Sequence, residues 1–368
     1  MRIRNEYLEK GKSVSDSETL TVDVDILDAI SAITIVYEAE NGANSNQGVY
    51  LHDDVDSIDL VDGSEEIFSL SGLETVLLNC FELGHYPYAV FTEAGGSKQY
   101  EAFRIHFGRY VGDPEYWLDP TEFRNLQLRL AHSLTISATA GFATGTGKVD
   151  VIAHIFDSKP SGRRGYFVTK EQYSFTSASS GIEKVDLPTD YPWRMLIQRA
   201  AENAVGIDTD ITNIKVNAGG GKYVPVDMNM LDIVQLNAER FGAFTVGYEL
   251  KRTDGDIIDT CLHVITGAHL NSKTDMDLAS VDGITANRVT AQVIKLTTTP
   301  EISKETSDVA LNLLVSGYAP YGAVVVPLGD PADPETWFDA PSFDKVKLEL
   351  TQGADGATCQ TILQQVRS

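Results

Sequence analysis

The chain has 368 residues, 42% of them hydrophobic, and a formal net charge of −24. That length suits two domains with ordinary cores, and that composition excludes a wholly disordered chain. The acidity argues against a surface built on phosphate contacts, because such affinity comes from Lys and Arg neutralising a nucleic-acid backbone. No direct nucleic-acid partner is therefore expected. No apolar run approaches the roughly 18–20 residues that a membrane-spanning helix needs. The opening residues MRIRNEYLEKGK lack the apolar segment of a secretory signal, so folding in a cytoplasm is expected. Cys80, Cys261 and Cys359 form no disulfide framework and no paired-cysteine motif; they read as buried free thiols.

Residues 1–16 read as an N-terminal arm. Its first twelve residues carry Arg2, Arg4, Lys10 and Lys12 against Glu6 and Glu9. A frayed terminus and a basic segment that touches lipid head groups or a neighbouring subunit both fit. Thr19–Val24 alternates like a strand, and Ile30–Tyr37 follows, closed by Asn41-Gly42. The acidic run at 53–66 lacks the spacing of a calcium loop and reads as a solvated loop. Four strand-like pieces then alternate with Gly and Pro breaks: Ile67–Leu70, Val76–Phe81, Tyr88–Phe91 and Phe103–Phe107.

Residues 113–130, DPEYWLDPTEFRNLQLRL, hold the central signal. The sequence contains this stretch again at 333–350, DPETWFDAPSFDKVKLEL. With no gap, Asp113/Asp333, Pro114/Pro334, Glu115/Glu335, Trp117/Trp337, Asp119/Asp339, Phe123/Phe343, Leu128/Leu348 and Leu130/Leu350 are identical, and Leu126/Val346 is an apolar match. A repeat with so long a period implies two similar domains. Asp-Pro opens a turn, because the Asp side chain bonds its own backbone and Pro presets φ. The Trp and the Phe are core anchors. The alternation that follows predicts a strand with one buried face.

Each half then ends on a last strand: Lys148–Phe156 in the first, 357–366 in the second. Residues 157–190 are rich in loop formers and read as a connection. The stretch 193–203 fits a helix or a strand; symmetry with residues 19–24 favours a strand. Ile211–Val216 reads as a strand ending in Gly219-Gly220-Gly221. Residues 229–238 read as a short helix. Many short strands broken by Gly, Asn, Asp and Pro predict an all-β chain: two tandem eight-stranded jelly-roll β-sandwiches with a few short helices in loops. The expected division is an arm at 1–16, a first roll at 17–157, a linker at 158–190 and a second roll at 191–368.

Chemistry is hard to find in this sequence. The seven histidines fall in no metal-ligand spacing, and no nucleophile elbow or phosphate loop is present. No catalytic, cofactor-binding or metal-binding residue is assigned, and the expectation is that the chain is not an enzyme. An asymmetric active site has no need of two copies of Asp119/Asp339 or Glu115/Glu335, whereas two domains with the same bend do.

The segments FGRYVGDPEYWLDPTEFRNLQLRL (107–130), VVPLGDPADPETWFDAPSFDKVKLELTQG (325–353) and YSFTSASSGIEKVDLPTDYPWRMLIQRA (173–200) resemble the double jelly-roll major capsid proteins of tailless icosahedral viruses, bacteriophage-type. The resemblance runs over about residues 19–366, and its motifs are structural. It implies a homotrimer that forms a pseudo-hexagonal capsomer of an icosahedral virion, assembled in a host cytoplasm. Its implied partners are further copies of itself, penton or minor capsid proteins, and an internal membrane touched through residues 1–12. A carbohydrate-binding jelly-roll module and a two-domain β-sandwich hydrolase are the alternatives.

Overall fold

A computed structural model of the chain describes residues 2–273, 277–296, 302–304 and 307–368. The first half supplies β1 (Ile3–Ser13), β2 (Ser17–Asp23), β3 (Ile30–Asn46), β4 (Val55–Asp62) and β5 (Glu65–Leu70). Helix α1 (Gly72–Leu83) follows, then β6 (Ala89–Thr92), β7 (Lys98–His106), β8 (Leu126–Ser133), β9 (Ala140–Phe142) and β10 (Lys148–Phe156). Five strands form one sheet in the order β1-β10-β3-β7-β6; the other runs β2-β8-β4-β5. Alternate residues of both point into one core: Ile33 and Ile35 from β3, Ile58 and Leu60 from β4, Leu128 and Leu130 from β8, Val149 and Val151 from β10.

The second half begins earlier than its sequence suggests. Its strands are β11 (Tyr166–Thr176), β12 (Gly181–Leu187) and β13 (Trp193–Ala201). The short helix α2 (Ile207–Asp210) leads into β14 (Ile211–Ala218), β15 (Tyr223–Asn229), helix α3 (Met230–Phe241) and β16 (Phe244–Arg252). An insertion follows: β17 (Ile257–Asp259), β18 (Leu262–Ser272), β19 (Asp277–Thr285), β20 (Arg288–Leu296) and β21 (Ile302–Lys304). The chain closes with β22 (Val309–Pro320), β23 (Ala323–Val325), β24 (Val346–Gln352) and β25 (Thr358–Arg367). Two sheets of this half run β11-β25-β13-β23 and β12-β24-β14-β15, while β16-β22-β18 extends the sheet of β6 and the insertion forms its own sheet, β17-β20-β19 with β21 on β20. The first two enclose Leu187, Leu196, Ile214, Val216, Leu348, Leu350 and Leu363.

The two halves repeat one strand plan. β1 to β5 correspond to β11 to β15, β6 to β16, β7 to β22 and β23, β8 to β24, and β10 to β25. Even the irregularities recur. The ladder between β1 and β10 slips at Leu8, and that between β11 and β25 slips at Gln172. A second slip falls at Ser31 and at Arg194, a third at Asp56 and at Thr212. Bulges bend a strand at a fixed place and are designed features, so three matched pairs describe one backbone used twice.

The helices match as well. Asn79 of α1 donates to the Arg104 carbonyl (2.7 Å) and accepts from the Arg104 N–H (2.8 Å). Asn237 of α3 makes the same pair of bonds to Val325, both at 2.8 Å. Gly84 and Gly242 end the two helices at φ +71° and +72°, where a side chain would be strained.

Five expectations about the strand plan are corrected. The acidic run at 53–66 is not a solvated loop: β4 and the start of β5 occupy it, with Val55, Ile58 and Leu60 in the core. Residues 1–16 are not an arm: Ile3–Ser13 pairs along β10. Its apolar alternation is missing because most of its side chains face solvent. Residues 158–190 are not simply a linker, since β11 and β12 lie within them. Val76–Phe81 belongs to α1, which is apolar on several sides because it is buried on several sides. The strand at 193–201 corresponds to β3, not to residues 19–24.

Candidate functional site: the seam between the halves

Two short parallel ladders join the halves. β5 meets β11, with Phe68 beside Thr169 and Ser69 beside Lys170. β6 meets β16, with Phe91 beside Tyr248 and Thr92 beside Glu249. Helix α1 lies between the halves. Its inner side packs on its own roll, while its outer side meets the second half. There the Gln360 amide donates to Glu74 (2.9 Å), the Gln364 amide donates to Glu82 (3.0 Å), and Phe81 packs edge-on against Phe241 and Phe244. The capping box of Ser71 and Glu74 opens α1, so one carboxylate both caps the helix and crosses the seam.

Charge is buried along this surface. Arg194 lies 3.5 Å from Glu82, donates to the Pro331 carbonyl at 3.0 Å and covers the Phe167 ring at 4.7 Å. Burial pulls its guanidinium down to about 10, against the pull of Glu82. Burial also pushes the Glu82 carboxyl up to about 7, with Arg194 opposing. Glu93, 2.5 Å from Arg252, and Glu74 are pushed to about 7 by the same cause. Breaking a buried pair from one side costs about 3–5 kcal/mol, although the intact pair stabilises little. The seam thus fixes how the halves fit more than how tightly.

Beside it, Tyr50, Phe91, Tyr248 and Tyr321 line a cavity of about 570 Å³ that His52 and His263 also reach. His52 is locked to Glu101 at 2.9 Å. Burial alone would lower its pKa, but Glu101 and Asp53 raise it to about 9. Among the described residues no cluster of three or more His, Cys, Asp or Glu side chains could hold a metal ion.

No family model and no curated protein matches the sequence. Solved structures do match. The STIV MCP superimposes with a TM-score of 0.60 at 9% identity, over 100% of this chain and 97% of that one. The major capsid protein of bacteriophage PM2 gives 0.55 at 10%, over 100% and 98%. PBCV-1 VP54, fitted into a reconstruction of the virophage Sputnik, gives 0.56 at 9%, over 100% and 95%. The chain has the fold of these viral capsid proteins.

Within this double jelly roll the two Asp-Pro segments occupy corresponding places. Leu118 and Ile30 exchange backbone bonds at the start of β3; Phe338 and Trp193 do so at the start of β13. Asp113 and Asp333 each accept the backbone N–H two residues on, from Glu115 and Glu335. Asp113 also holds the Arg109 guanidinium; burial would raise its pKa, but Arg109 and the backbone N–H groups hold it below its ordinary value. Pro114 and Pro334 are the middle residues of these turns. Asp119 caps a 3₁₀ turn through Thr121, and Asp339 accepts from Ser342 in the matching turn. Phe123 packs edge-on to Tyr166, and Phe343 stacks on Phe338 and Tyr223. Leu128, Leu130, Leu348 and Leu350 are core residues.

The tryptophans differ. Trp117 is buried with Ala29 and Phe156 under Lys159 and Arg163. Trp337, expected as a core anchor, is only half-buried. It packs at the seam on Tyr116 and Phe167, so the two repeated segments touch. Arg164 sits between their glutamates, 3.2 Å from Glu115 and 3.5 Å from Glu335.

The sequence reading missed Arg194, Glu82, Glu74, Gln360 and Gln364. A second repeat would have found α1: Leu73/Leu231, Val76/Val234, Leu78/Leu236, Asn79/Asn237 and Gly84/Gly242 are identical at an offset of 158.

Proposed function

We propose that this chain is a structural major capsid protein. Three copies close head to tail into a trimer of six rolls, a pseudo-hexagonal capsomer of an icosahedral virion. One observation carries the reading: α1 and α3 are equivalent helices with unequal cover. At matched positions Glu74, Leu77, Leu78 and Phe81 are buried, while Asp232, Gln235, Leu236 and Glu239 are exposed. Leu231 and Leu236 stand 49% and 40% open. The seam strand that covers α1 is β25, through Gln360 and Gln364. Its counterpart in the first half is β10, where Asp150 and His154 hold the matching register positions and are only half-covered.

Each chain therefore carries one uncovered helix face and one uncovered strand face, which are the two sides of a seam it already makes internally. A contact between different patches is heterologous, and such contacts close into rings when the rotation allows. A pseudo-hexagonal block cannot fill a five-fold vertex, so penton or minor capsid proteins are the second class of partner. The net charge of −24 suits a shell that keeps its distance from the genome. A lipid contact through residues 1–12 is not part of this proposal, because Ile3–Ser13 is committed to the sheet.

Sedimentation tests the reading. The protein runs as a trimer, and Leu231→Arg with Leu236→Arg runs as a monomer with an unchanged circular dichroism spectrum, since the inward Ile233 and Val234 are untouched. A wild-type chain that stays monomeric at high concentration overturns the proposal.

A further inference from the structure

Backbone hydrogen bonding at sheet edges gives the ring proposed above a more specific joint. Among the described residues, the sheets hold two open edges that their counterparts do not have. β5 pairs with β4 on one side and β11 on the other, whereas its equivalent β15 pairs only with β14. β11 pairs with β25 and β5, whereas its equivalent β1 pairs only with β10. Open edges present rows of unpaired N–H and C=O groups, and proteins normally blunt or cover them. Here the partner each edge lacks is the one that the other edge supplies.

We infer that β15 of one copy and β1 of the next form a parallel β-bridge, repeating between chains the β5–β11 ladder within the chain. This rests on the head-to-tail ring and goes beyond it by fixing the register. Matched bulges set the correspondence. Leu8 matches Gln172, which places Asn5 at Thr169 and Glu6 at Lys170. The α1 and α3 alignment places Val226 at Phe68 and Asp227 at Ser69. The bridge therefore joins Asn5 to Val226 and Glu6 to Asp227. Pro225, which precedes this pair, has no N–H to donate and keeps the bridge as short as the two-residue ladder in the seam. The seam's ion pair between Lys170 and Glu66, 3.6 Å apart, becomes Glu6 opposite Val224. The joint between copies therefore lacks the ion pair that the joint within each copy has.

Cross-linking reads this register. Glu6 and Asp227 are both exposed, and the native cysteines are all buried, so introduced thiols report alone. Neighbouring strands lie about 4.8 Å apart, within reach of a short bis-maleimide. The full-length chain carrying Glu6→Cys and Asp227→Cys is treated and run on a denaturing gel. Adducts of two and three chains, with none larger, are expected; each single variant stays monomeric, and Glu9→Cys with Asp227→Cys reacts at least several-fold less. A trimer in sedimentation that yields no adduct sinks the β-bridge and leaves the capsomer reading standing. A chain that sediments as a monomer sinks both.

Discussion

Removing the asparagine clamps, Asn79→Ala and Asn237→Ala, tests the duplicated backbone directly. Each side chain closes two bonds of 2.7–2.8 Å onto a single residue of the neighbouring strand. Asn79 is fully buried, so its loss strands a backbone N–H and a carbonyl without water. At about 1–3 kcal/mol for each of the two groups left unsatisfied, Asn79→Ala costs about 2–6 kcal/mol. Asn237 is half-buried, and water can replace its bonds. Its loss costs about 1–2 kcal/mol, near the ordinary net value of two hydrogen bonds. Urea unfolding followed by tryptophan fluorescence reads both. If the halves unfold separately, a single free energy is undefined, and each substitution shifts the transition of its own half. Two silent substitutions, or a larger effect at Asn237, would refute the reasoning.

Trp117→Ala costs about 3–5 kcal/mol, as for a large buried aromatic; Trp337→Ala costs about half as much, read from the same unfolding curves, and equal losses would contradict the difference in burial. Stability falls from pH 6.5 to pH 8.5. Glu74, Glu82 and Glu93 bind protons more tightly when folded, up to about 7, so their contribution is full below their unfolded range and lost as pH rises through 7. His52, raised to about 9, contributes fully below about 6.5 and loses that contribution as pH climbs towards 9. A urea midpoint that rises across this window would contradict both signs. Asp210 is buried without a hydrogen bond to its carboxylate, and burial pushes it to about 7. Asp210→Asn raises the midpoint at pH 8, by removing a carboxylate that is buried ionised there, and a fall would show an unrecognised partner.

The fold was legible where one face of an element is buried and the other wet. Leu126-x-Leu128-x-Leu130 and Val346-x-Leu348-x-Leu350 alternate because β8 and β24 each cover a core, and α3 shows its helical period because its outer side is open. α1 is hidden by its own burial, which removes the polar stripe; only the capping pair Ser71 and Glu74 and the closing Gly84 betray it. β1 has the opposite problem: with little of it buried, nothing in its pattern marks a strand that β10 templates. The seam lay furthest from view. Arg194, Glu82 and Gln364 are distant in sequence, and the insertion carrying β17 to β21 moves the helix repeat to a different offset from the tryptophan repeat.

The central claim is that each chain offers its neighbour the seam it builds within itself. Cryo-electron microscopy of the assembled protein measures this most directly. The account predicts a trimer of six sandwiches around one axis, with α3 of each copy against the β10 sheet of the next. Trimers joined through other surfaces, or particles of a single chain, would contradict it.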